Sequence, residues 1–175
     1  MVTVRFDDPA DRHKWNVLNS KTMELMDQHR YAEARQTAQK AHKFALEVSN
    51  AQLVTNSLSN LGNLELTVGN LDKAESYLRE ALDIAIAYAG KEHLETAMVV
   101  AALATLYYHK RNYQLAEAGY LEAIRVKKMH LPPSHHSLSK TMLNLSEMYR
   151  QLGNKQKAEK WLQESSSGNS NPWRP

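Results

Sequence analysis

The chain has 175 residues, 42% of them hydrophobic, 23% charged and 7% aromatic, which is the size and composition of one soluble globular domain. Its formal charge is +3, divided as −2 over the first 88 residues and +5 over the rest, a basic bias that suits acidic partners but falls short of a nucleic-acid-binding surface. Zero cysteines exclude disulfides, thiolate zinc sites, iron–sulfur ligation and cysteine nucleophiles, and fit a reducing, cytoplasmic compartment.

Only six glycines and five prolines interrupt a chain rich in helix-forming residues, so the predicted class is all-α. Asp8-Pro9 suits a helix start, since Asp caps and Pro fits the first turn, and the first helix is predicted near 10–28. Further helices follow near 31–48, 52–68, 71–89, 93–110 and 113–129. Pro132-Pro133 cannot continue a helix, and the last two are expected near 135–152 and 155–165. Residues 166–175, rich in Ser, Asn and Pro, read as a disordered tail. No apolar run approaches the roughly 18–20 residues needed to span a bilayer, and the N-terminus lacks an apolar export core, so neither membrane insertion nor secretion is expected.

The helices come in repeating pairs. Leu71-Asp72-Lys73-Ala74-Glu75, Tyr113-Gln114-Leu115-Ala116-Glu117 and Lys155-Gln156-Lys157-Ala158-Glu159 recur 42 residues apart, and Tyr31-Ala32-Glu33-Ala34 is an earlier copy at a spacing of 40. Leu61, Leu103 and Leu145 form one further column, Gly62, Ala104 and Ser146 a second, and Ala41, Ala81 and Ala123 a third. Each pair breaks at Gly69-Asn70, Arg111-Asn112 or Gly153-Asn154, where a left-handed residue ends one helix and Asn can cap the next. Small residues at 62, 104 and 146 should let the paired backbones approach at Ala74, Ala116 and Ala158, with Leu78, Tyr120 and Leu162 filling the space between repeats. The units fall near 10–49, 52–90, 93–131 and 135–165, forming one domain over 1–165.

The pattern Leu58-x-x-Leu61-Gly62, Gly69-Asn70, Ala74, Leu78, Ala81 resembles the tetratricopeptide repeat. Its 42-residue spacing, against about 34 in the common form, is similar to the kinesin-light-chain subtype, and His93 and His135 match the histidine of that subtype's inter-repeat loop. The resemblance implies an α-solenoid of about four stacked antiparallel helix pairs, with the first helix of each pair lining a concave groove. Lys21 and Thr22 depart from the pattern and mark the first repeat as an atypical end, while the last repeat, with Trp161 and Leu162, is expected to leave its outer face open.

At about 100° per residue, Leu58, Leu61, Gly62 and Glu65 point into the helix pair, leaving Asn56, Asn60 and Asn63 towards the groove. The corresponding positions are Met98, Thr105 and Tyr108, then Lys140, Asn144 and Arg150. An amide both donates and accepts, so Asn60, Asn63 and Asn144 suit the backbone of an extended peptide, and inner-face asparagines play that role in the related repeat families. Lys140 and Arg150 would draw an acidic side chain or terminal carboxylate.

No cofactor or metal is expected. Eight histidines include no pair at ligand spacing with a third ligand nearby. Ser137-x-x-Lys140 lacks the companion motifs of acylating serine enzymes, no Gly-rich phosphate loop is present, and the Asn144-Leu145-Ser146 triplet lies within a predicted helix. The expected function is non-enzymatic: an adaptor or scaffold module that binds a protein or peptide segment, the alternative being self-assembly into a homo-oligomer through the exposed faces of terminal helices.

Overall fold

The computed structural model describes residues 8–167. They form eight helices and no strand: α1 (Pro9–Asp27), α2 (Tyr31–Glu47), α3 (Ala51–Thr67), α4 (Leu71–Ala89), α5 (Leu94–His109), α6 (Tyr113–His130), α7 (His136–Gln151) and α8 (Lys155–Ser167). Every expected helix is present within two residues of its expected ends. Residues 166 and 167 belong to α8 rather than to a tail, and the remainder of the expected tail lies outside the described residues.

The start and stop signals act as chemistry requires, with one exception. Asp8 accepts from the Ala10 amide at 2.9 Å, and Pro9 occupies the first turn. His29, Gly69, Arg111 and Gly153 carry φ of +58°, +83°, +59° and +75°, and each following amide bonds back to a carbonyl five residues earlier, as Asn70 does to Glu65 at 2.8 Å. Asn112 and Asn154 cap the next helix through their side chains, but Asn70 does not; its amide donates to the Glu65 carboxylate at 2.6 Å. His93 and His135 cap α5 and α7, each ring Nδ1 accepting the amide two residues on, at 3.3 and 3.1 Å.

Packing divides the chain into two compact units, residues 1–90 and 91–175. In the first, α1–α2 and α3–α4 form antiparallel hairpins, α2 packs on α3, and α1 lies alongside α3. Its centre holds Leu53, Leu58, Leu61 and Leu64 of α3 with Leu78, Ala81 and Ala85 of α4, and each buried leucine contributes about 2 kcal/mol. Gly62 sits so close to its partner helix that a Cβ there would lie 2.6 Å from Leu78 Cγ and 3.4 Å from the Ala74 carbonyl oxygen. Leu78 thus packs against Gly62 in its own hairpin. Across the α2–α3 junction, Arg35 grips the buried Glu65 with two bonds of 2.6 and 3.1 Å, and Trp15 Nε1 of α1 donates to Ser57 Oγ of α3 at 2.7 Å.

The second unit repeats the scheme: α5–α6 and α7–α8 are hairpins, α6 packs on α7, and α5 lies alongside α7. Its core gathers Ala104, Ala116, Tyr120, Ile124, Leu138, Met142, Leu145 and Met148. Close approach recurs here, since a Cβ on Gly119 would lie 2.9 Å from that of Ala104, and Ser146 donates to the Ala158 carbonyl at 2.7 Å. At the α6–α7 junction the Tyr149 hydroxyl meets the Glu117 carboxylate, joined by Lys157 at 3.3 Å. Trp161 is not left open as expected. It packs against this core beneath the ammonium groups of Lys128 and Lys160, 5.9 and 5.6 Å from its ring, whereas Leu162 beside it remains half exposed.

Candidate peptide-binding surface

The first-type helices α1 and α3 stand side by side, and their spacing brings together a side-chain amide from each. Asn60 Nδ2 of α3 donates to Asn19 Oδ1 of α1 at 2.5 Å. Asn60 and Asn56, one turn apart, are half-buried, and Asn63 is exposed. These three share one helix face. Asn19 completes the cluster, and sequence reasoning missed it: the signal was its position 41 residues before Asn60, obscured because the first two repeats are spaced differently from the others.

Six candidates lie in the second unit. On α5, Met98 is exposed and Tyr108 half-buried, its ring 6.2 Å from that of Tyr113 and 5.3 Å from His109; desolvation raises the pKa of its hydroxyl. Thr105 departs from the expected open position. Its hydroxyl donates to the Ala101 carbonyl at 3.0 Å and accepts from Tyr120 of α6 at 3.0 Å, so its polar capacity is spent in the hairpin seam. The same burial pushes Tyr120 up to about 12.

On α7, Asn144 is half-buried one turn beyond the exposed Lys140. Arg150 is not a free cation: it holds Glu147 with bonds of 2.7 and 2.6 Å, and Gln151 adds a third at 2.8 Å. These donors, Arg150 foremost, hold the Glu147 carboxyl down at about 2. The pair is locally neutral, leaving Lys140 as the exposed cation among these candidates. Among the described residues, no group of three His, Asp or Glu side chains is arranged to hold a metal ion, and no helix is long and apolar enough to cross a membrane.

A tetratricopeptide repeat family model matches residues 24–85, 53–129 and 102–168. The chain belongs to the tetratricopeptide repeat family. Solved tetratricopeptide-like structures resemble it along nearly its whole length. BtubC (BKLC) from P. vanneervenii superposes with a TM-score of 0.75 at 22% identity, covering 98% of this chain and 69% of that one. A putative kinesin light chain from Podosopora anserina, built of nearly identical TPR-like repeats, gives 0.64 at 16%, covering 99% and 82%. MamA gives 0.59 at 16%, covering 93% and 82%. Such identities carry the fold of a tetratricopeptide array and its kinesin-light-chain-like form. No curated protein matches the chain significantly. Tetratricopeptide repeats generally mediate protein–protein interaction or self-assembly, which directs attention to the surfaces of α1, α3, α5 and α7 that the hairpins leave uncovered.

Proposed function

We propose that this chain is a non-enzymatic adaptor of the cytoplasm that binds an extended segment of another protein along the first helices of its hairpins. The amide pair carries this reading. With one Asn60 N–H given to Asn19, the Asn60 oxygen and the Asn19 amide hydrogens remain as an acceptor and donors on a half-buried surface, a set complementary to a peptide unit. Asn144 offers the same chemistry on α7, and exposed Lys140 beside it favours an acidic residue in the ligand. Met98 and Tyr108 supply apolar contact on α5.

The test is fluorescence anisotropy with a panel of labelled extended peptides, acidic and neutral, against the full chain and the Asn60→Ala/Asn144→Ala double variant. Loss of both amides should weaken a bound peptide at least tenfold, about 1.4 kcal/mol. Equal affinity for the two proteins would remove these helices as the binding surface.

A second reading, self-assembly, rests on Leu162. That residue is 50% exposed, whereas Ala38, Leu78 and Tyr120 in the same repeat column are 2%, 0% and 1% exposed. A helix seated on α8 would restore the pattern. Light scattering over a concentration series should then show association that Leu162→Glu abolishes, and a monomer at several hundred micromolar would discard this reading.

A further inference from the structure

Another repeat column runs through Ala45, Ala85 and Lys127, which are 0%, 0% and 3% exposed. Two hairpins bury a methyl group where the third buries an ammonium. Lys127 reaches from α6 into its junction with α7, where Nζ donates to Thr141 Oγ1 at 2.8 Å and to the Ser137 carbonyl at 3.2 Å. Both acceptors are neutral.

Four carboxylates on or beside the neighbouring elements have partners of their own. Glu164 of α8 bonds Lys128 at 2.9 Å, Glu122 of α6 and Glu92 ahead of α5 both bond Arg125 at 2.7 Å, and Glu95 of α5 lies 3.9 Å from His93. From α7 the charge that acts on Lys127 is that of Lys140, which is also positive. Beside this junction a cleft of about 350 Å³ opens between Lys128, Leu131, Pro133, Leu138, Met142 and Glu164. The α2–α3 junction, by contrast, is closed by the paired Arg35 and Glu65.

We propose that Lys127 is a proton-operated latch: the neutral amine lets the α7–α8 hairpin stay seated on α6, and the protonated one makes that hairpin detach more often, baring α6 around Tyr120 and Ile124. Burial, with the field of Lys140 adding to it, pushes the amine down to about 8 from its ordinary 10.5. A detached hairpin returns the amine to water. The open state therefore binds protons more tightly than the closed one, and closure gains stability as pH rises from below the lowered value towards the ordinary one. Between pH 7 and 9.5 this linkage lowers the opening equilibrium about thirtyfold.

The absence of cysteine allows single thiols to report opening. Met142→Cys reports the α6–α7 junction and Ala104→Cys the α5–α6 seam, each made in the full chain with Lys127 present or replaced by Lys127→Ala. Labelling by a thiol-reactive disulfide is followed from pH 7 to 9.5, each rate divided by that of the urea-unfolded protein at the same pH. The latch requires protection in Met142→Cys with Lys127 present to rise about thirtyfold relative to the same thiol with Lys127→Ala, a ratio in which ionisation of the thiol on opening cancels, while the corresponding ratio for Ala104→Cys changes far less. The same pH dependence in Met142→Cys with and without Lys127, or an equal ratio at both thiol sites, overturns it. If Met142→Cys does not fold, an NMR titration of the Lys127 side chain in the unaltered protein decides: a midpoint near 8 supports the latch and one near 10.5 refutes it.

Discussion

Glu65 shows how much one side chain can hold. Burial alone would raise its pKa, but hydrogen bonds from Arg35 and Asn70 more than offset that and leave it below the ordinary glutamate value of 4.5. The depressed value means the ionised pair stabilises the first unit above about pH 4.5, and that contribution disappears as pH falls through the lowered pKa. Removing the guanidinium in Arg35→Ala strands a carboxylate that is only 2% exposed, and urea unfolding at pH 7 should register a loss of about 2–3 kcal/mol, at the lower end for a broken buried pair because the Arg35 side chain is itself 33% exposed. The loss should shrink as pH falls below 4.5 and on through the lowered pKa, where protonation of Glu65 takes the ionised pair from the native protein as well. At this scale the sequence was only partly legible. Helical periodicity placed Glu65 inside the hairpin, but periodicity knows nothing of partners, so it could not foresee that Tyr120 would claim the Thr105 hydroxyl or that Glu147 would neutralise Arg150.

The helices themselves were legible because two independent signals agree: apolar residues at helical spacing, and a Gly-Asn or Arg-Asn break at a constant offset. What the breaks concealed is that four residues of unlike identity share one conformation. His29 and Arg111 take the same left-handed turn as Gly69 and Gly153 but carry a Cβ that disfavours it. Arg111→Gly should therefore raise the melting temperature of the second unit slightly, a gain of up to about 1 kcal/mol tempered by the added freedom of the unfolded chain, while Gly69→Ala should lower that of the first by about the same amount. Differential scanning calorimetry on the two variants reads both effects. The capping role of His93 and His135 was hidden for a different reason: an imidazole can end a helix, bind a metal or pack, and only the geometry of the amide two residues on selects among these.

For the molecule as a whole, charge is distributed so that the later residues carry the positive excess, +5 from residue 89 onward against −2 before it. An acidic ligand should consequently bind more weakly as salt rises, by several-fold between 50 and 300 mM, and Lys140→Ala should flatten that dependence while leaving a neutral ligand unaffected. Anisotropy titrations at the two ionic strengths supply the comparison. The all-α class followed from composition, and the stacked array from the repeat spacing together with the resemblance to the tetratricopeptide repeat, because a helical hairpin cannot bury its own apolar stripe and must stack.

The stacking junctions inside the two units, α2–α3 and α6–α7, have opposite polarity. In one, the acid stands on the first-type helix, Glu65, and the cation on the second, Arg35; in the other, the acid is Glu117 of the second-type helix, and the first-type helix answers with the Tyr149 hydroxyl. Hairpins of this chain are thus not interchangeable bricks. Shuffling α3 onto α6, within one molecule or between neighbours crowded together during synthesis, would set Glu65 against Glu117, two carboxylates in a slot built for one. This mismatch disfavours that wrong pairing, and a tandem array that seated α3 on α6 would need new side chains at the seam.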